Sequence, residues 1–160
     1  MTQVLVLLLA LLIGVVAGLR AMTAPAVVAW GAMLGWIDVG DKWSEWMAHP
    51  ITVTVLTIFL FAELVTDQLP KTPSRKVPPQ FIARLIMGGF AGAVIGSAFF
   101  HSFIGLGAGL IGAVLGTLGG AALRSRVSAA RNGNDRPGAF GEDVLAVGGG
   151  FLVAFLVSLV

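Results

Sequence analysis

An all-α, polytopic transmembrane bundle of five to six spans, built from repeated helical hairpins, is the fold class this sequence predicts. Three observations predict it: 57% of the residues are hydrophobic and only 11% charged, the mean hydropathy is +0.94, and long apolar runs alternate with short segments that hold most of the basic residues. A soluble domain carries about a quarter of its residues as charges, so this balance belongs to a chain whose solvent is lipid. With spans of roughly 20 residues, 160 residues are filled by one transmembrane domain over 1–160.

The first run, 3–19, lacks the basic flank of a secretory signal and reads as a retained span. The next, 22–37 (MTAPAVVAWGAMLGWI), reaches about 24 Å as a helix, short of the roughly 30 Å hydrocarbon core, so it either spans or re-enters. Four clear runs follow at 51–66, 81–100, 103–123 and 140–160. Lys71, Arg75 and Lys76 fall between the third and fourth runs, and Arg124, Arg126, Arg131 and Arg136 between the fifth and sixth. Both segments are therefore expected on the cytoplasmic side. If 22–37 spans, Arg20 joins them and only Lys42 of the ten basic residues faces outward, which favours six spans with both termini outside. The outer segment, DVGDKWSEWMAHP at 38–50, holds Trp43 and Trp46 and follows Trp36, side chains suited to the aromatic belt of a membrane interface.

An internal repeat agrees with hairpins. Pro78, Phe81, Arg84 and Gly89 recur in the same frame as Pro137, Phe140, Asp143 and Gly148, while Gly14 and Gly18 before Arg20 parallel Gly116 and Gly120 before Arg124. Glycines also recur every fourth residue at 88, 92 and 96, at 105 and 109, and at 112, 116 and 120. Such ladders line one helix face and let backbones approach, giving van der Waals contact where lipid supplies no hydrophobic drive. A tight bundle follows, and so small a bundle suits a homo-oligomer.

The charged residues at the cytoplasmic helix ends carry the functional expectation. Glu63 and Asp67, four residues apart, share a helix face; Arg84, Glu142 and Asp143 lie about one turn inside their helices. The repeat puts Arg84 and Asp143 at equal depth, so a buried pair between them is expected, because an unpaired ion there costs several kcal/mol or more. With Arg20, these residues form either a structural network or a cytoplasm-facing cavity that binds or moves a small solute or ion. The turn LPKTPSRKVPP offers Lys71, Arg75 and Lys76 to anionic headgroups of membrane lipids, and the alternative function is a lipid-interacting or assembly protein without transport.

Other chemistries find little support. The absence of cysteine removes disulfides, thiolate metal sites and cysteine nucleophiles. Two histidines, His49 and His101, are too few for a zinc or haem cage, so no cofactor is expected and the metal question rests on the acids. A net charge of +2 with basic residues confined to loops gives no nucleic-acid surface. Neither a phosphate-cradling glycine loop nor a G-x-S-x-G or H-E-x-x-H motif occurs, so no catalytic residue is assigned.

GLRAMTAPA at 18–26, ELVTDQLPKTPSR at 63–75, VPPQFIARLIMGGFAGA at 77–93 and GEDVLAVGGG at 141–150 together resemble the bacterial small membrane proteins grouped as domain of unknown function 4126. The resemblance covers most of the chain. It implies a multi-pass bundle in a bacterial inner membrane and adds no mechanism. The Glu63, Asp67, Lys71, Thr72 series is also similar to the Glu-x-Gly-Asp-Lys-Thr motif of divalent-cation/proton exchangers, at wider spacing and without the motif glycine.

Overall fold

The computed structural model describes residues 2–40, 42–66, 78–130 and 136–160. It contains six α-helices and, among the described residues, no strand: α1 (Thr2–Leu19), α2 (Thr23–Met33), α3 (Pro50–Thr66), α4 (Pro78–Ser97), α5 (Ser102–Ala130) and α6 (Arg136–Val157), with a short 3-10 turn at Glu45–Ala48. Proline opens α3 and α4, where its missing N–H is harmless and its fixed φ suits the first helical position. The His49 ring accepts the Ile51 amide at 3.1 Å, capping α3.

Glycines set the packing. A Cβ placed on Gly92 would lie 2.3 Å from the Gly105 carbonyl oxygen, and one on Gly109 would lie 2.1 Å from that of Gly88, so α4 and α5 touch backbone to backbone. Gly112 and Gly116 turn the next face of α5 onto Leu11 and Val15 of α1, and Gly14 of α1 meets Gly109. The expected ladders are thus the seams of an α1–α4–α5 core. Residue pairings also fix direction. Gly14 meets Gly109 and Gly18 meets Ala113 and Thr117, so α1 and α5 run parallel; Gly88 meets Ala113 and Gly96 meets His101, so α4 runs against them.

α2 lies in the middle of the remaining elements and is buried from Thr23 to Ala29 and again at Gly31 and Ala32. A helix apolar all round belongs inside. Its Trp30 indole N–H donates to Thr57 Oγ1 of α3 at 2.9 Å, and Gly31 touches Ala154 of α6. α2 stops in a Schellman arrangement: Trp36 N–H bonds Gly31 O, Gly35 N–H bonds Ala32 O, and Gly35 supplies the left-handed φ of +83° that this motif needs. Although the helix is short, 22–37 carries the chain from one end of the bundle to the other, because α1 and α3 both finish at the Arg20 end. Every odd helix runs toward that end and every even one returns. The chain therefore makes three hairpins with their turns at the same end.

The interior is made of small residues, chiefly Ala and Val, whereas Leu8, Ile58, Phe61, Ile86, Phe103 and Leu145 are among many large apolar side chains left exposed. Two helical stretches, Gln80–Ser97 and Ser102–Leu123, are long and apolar enough to cross a membrane; those of the other helices are shorter, at 10–17 residues.

Candidate functional site

The site is the junction between α1 and α2. Two helix ends meet there, leaving carbonyls without partners at the end of α1 and N–H groups without partners at the start of α2. Side chains from three other helices answer both. Glu63 of α3 accepts the Ala21 amide on Oε1 at 2.9 Å and the Met22 amide on Oε2 at 2.8 Å, so a carboxylate sits on the positive end of the α2 dipole. Arg84 of α4, 3% exposed, donates from its guanidinium to the Gly18 carbonyl at 2.7 Å, placing a cation on the negative end of α1. Thr117 of α5 adds a longer contact to the same carbonyl, at 3.4 Å.

Arg20 stands between the two helices and is completely buried. Its guanidinium is ion-paired with Asp143 of α6, which is 13% exposed. The pairing expected for Asp143, with Arg84, is therefore replaced: Asp143 takes Arg20, and Arg84 reaches the end of α1. The repeat placed the two residues at similar depth correctly, six residues into α4 and seven into α6. It carried no information on the α1–α2 turn that comes between them. Thr23, the first residue of α2, has a buried hydroxyl with no hydrogen-bond partner among the described residues.

The depth of the cluster exceeds the one turn read from sequence. Thr117 lies at the level of Gly18 and six residues inside the end of the Ser102–Leu123 apolar stretch, or about 9 Å. α5 then continues for another two turns beyond Leu123. The junction is recessed behind the ends of α4, α5 and α6.

Asp67 and the headgroup candidates Lys71, Arg75 and Lys76 lie outside the described residues, and Glu142 lies in α6 with its side chain outside them. Of the expected acids, Glu63 and Asp143 are thus brought to one turn, with Arg20 and Arg84. Among the described residues no group of three or more His, Asp or Glu is placed to hold a metal ion. Sequence reasoning missed Thr117, Thr23 and the backbone of Gly18 and Met22. The available signal was Arg20 itself, a lone charge between two apolar runs, which marks a helix break whose exposed backbone needs charged partners.

The chain belongs to the family described as "Domain of unknown function (DUF4126)", whose model matches residues 7–160. Comparison with curated proteins and with solved structures gave no match.

Proposed function

We propose that this member of the DUF4126 family is a multi-pass protein of a bacterial inner membrane that binds or moves a small solute or ion at the α1–α2 junction. One observation carries the reading: two arginines and two carboxylates from four segments converge on the α1–α2 junction, whose Gly18 lies level with Thr117, about 9 Å inside an apolar stretch long enough to span a bilayer. Ionisable groups at membrane depth are expensive and mark pathways or sites by default. An all-apolar replacement of a buried ion pair is frequently as stable or more so, so stability alone gives little reason to keep charges there. Broken helix ends that offer both N–H and C=O groups are also how transporters coordinate polar cargo within a bilayer.

The multi-pass reading rests on the exposed large side chains of all the outer helices and on the glycine seams. α1 lies along α5 from Leu11 to Gly18, so the two share one surrounding medium despite the shorter apolar stretch of α1. Arg124 and Arg126 near the end of α5 and Arg136 at the start of α6 lie toward the Arg20 end, and Lys71, Arg75 and Lys76 fall in the sequence between α3 and α4, which makes it the cytoplasmic end.

A second reading, a lipid-interacting or assembly protein without transport, draws on a different observation: Glu63 and Arg84 bond the backbone groups that the α1–α2 break exposes and Asp143 neutralises Arg20, which is the work of a structural network. Thermal unfolding of the detergent-purified chain separates the two. Sodium, potassium, magnesium, chloride, phosphate and acetate are added in turn to the native protein, Asp143→Asn and Glu63→Gln. A ligand of the folded state stabilises it by mass action, so one ion is expected to raise the native Tm and to lose that effect in the variants. No shift with any ion, beside variants that melt far lower, would transfer the cluster to the structural reading.

A further inference from the structure

α2 opens without a cap of its own. Its N-cap residue, Met22, makes no side-chain cap bond, and Glu63 takes the Ala21 and Met22 N–H groups from α3 instead. One turn further on, the helix start is not fully answered. Of the first four residues of α2, Thr23 donates its N–H to Arg20 O and Ala26 to Met22 O, each at 3.2 Å, and Pro25 has no N–H. Ala24 remains: its amide makes no hydrogen bond among the described residues, and the residue is completely buried. Beside it stands the Thr23 hydroxyl, on a residue equally buried and likewise without a partner.

Both groups belong to the break. The N–H groups of a first turn point out of the helix N-terminus and its Cα–Cβ bonds tilt the same way, which carries the Ala24 amide and the Thr23 hydroxyl toward the space between α1 and α2. Packing does not call for threonine here, since valine has the same shape, and an unmet buried hydroxyl costs stability. Buried polar groups are partnered by protein or by ordered water, and backbone freed by breaks in membrane helices is answered by Ser or Thr side chains and water.

We infer that the α1–α2 break holds one water molecule, which accepts from the Ala24 amide and is hydrogen-bonded to the Thr23 hydroxyl. The neighbours set the class of ligand. It must offer an oxygen lone pair, because an amide N–H only donates. A cation is repelled by Arg20, completely buried three residues before Thr23, and by the positive end of α2. An anion is repelled by the Glu63 carboxylate, which already holds the two preceding amides. An uncharged oxygen meets neither objection. A buried water makes two to four hydrogen bonds; Thr23 and Ala24 supply two, and the end of α1 exposes carbonyls for its hydrogens. The site is built from the break and the first turn of α2, so it stands whether or not an ion binds the four charged side chains.

The test is a crystal structure of the full chain from detergent, at a resolution that places ordered water, for the native protein, Thr23→Ser and Thr23→Val. The expected result is a density peak within hydrogen-bond distance of Thr23 Oγ1 and Ala24 N, kept in Thr23→Ser and lost in Thr23→Val. Thermal melts of the same proteins give a second readout that needs no crystal. Thr23→Val deprives the water of a partner and is expected to lower Tm by about 2–4 °C, whereas removing an orphan hydroxyl would raise it. A native map without the peak overturns the inference, and so does Thr23→Val melting at or above the native Tm. Bromide in place of chloride gives the remaining arm: an anomalous peak at Thr23 would put an anion there and overturn the water.

Discussion

Charge at the α1–α2 turn is arranged by the sign of each helix end. Glu63 on the start of α2 and Arg84 on the end of α1 satisfy backbone groups that the apolar side chains around them cannot, and Arg20 between them is held by Asp143. Removing one partner of a buried pair is worse than never having had it, because the remaining charge is stranded. Asp143→Asn is therefore expected to lower stability by about 3 kcal/mol, read as a fall in Tm in detergent. Glu63→Gln keeps an acceptor and loses only charge at a helix N-terminus, so its fall is expected near 1 kcal/mol. Equal effects of the two would mean that the ion pair is not the stronger tie. A different residue carries backbone strain. Phe100 takes the left-handed position, φ 62°, of the Schellman turn that ends α4, where His101 N–H bonds Gly96 O and Phe100 N–H bonds Ser97 O. A non-glycine residue there costs about 1–2 kcal/mol, partly offset by the lower chain entropy of Phe. Phe100→Gly is expected to raise Tm slightly, and a clear fall would show that its ring contact with Lys42 outweighs the strain.

Between helices the unit of design is the glycine whose missing Cβ is a neighbour's backbone. A Cβ at Gly109 would meet the Gly88 carbonyl at 2.1 Å, and backbone cannot swing aside, whereas Gly107 and Gly119 have nothing within 4 Å. Gly109→Ala is expected to cost about 1–3 kcal/mol by overpacking, and Gly107→Ala to leave stability unchanged or raise it by up to about 1 kcal/mol; thermal melts of the pair check both. This was the part of the fold most legible in sequence. A period of four in glycine is a statement about one helix face, and faces are what helices pack with. The charged site was half legible for a related reason. Residue type and depth marked Glu63, Arg84, Asp143 and Arg20 as members, since charge in an apolar run demands a partner. Which partner depended on the backbone of Gly18, Ala21 and Met22, whose free groups exist only once α1 and α2 break, and no side-chain pattern encodes that. The short length of α2 was legible too, but its burial on every side was not, because a run of Ala, Val, Thr and Gly reads alike for a lipid-facing span and an enclosed one.

Across the whole molecule, three hairpins turn at one end and the 38–49 segment and the α4–α5 turn stand at the other. The direction of α2 decides this arrangement. Had 22–37 turned back, α3 would start where α1 ends and Glu63 would lie far from Met22; the Glu63 bonds to Ala21 and Met22 and the Trp30 bond to Thr57 together make α2 and α3 antiparallel neighbours. Under the membrane reading, Glu45 and Ser74 then face opposite aqueous compartments, with Ser74 on the cytoplasmic side by the excess of Lys and Arg there. The chain contains no cysteine, so single thiols report position without a background. Glu45→Cys is expected to react in intact cells with a maleimide that cannot cross the membrane, and Ser74→Cys only after the membrane is opened. Thiols reactive from the same side would require an odd number of crossings between residues 74 and 45 to become even, which the α3 direction forbids, and would discard the six-pass bundle. Reaction of both in their expected compartments would place the Arg20–Asp143 junction on the cytoplasmic half of the protein, the half from which any solute bound there must enter or leave.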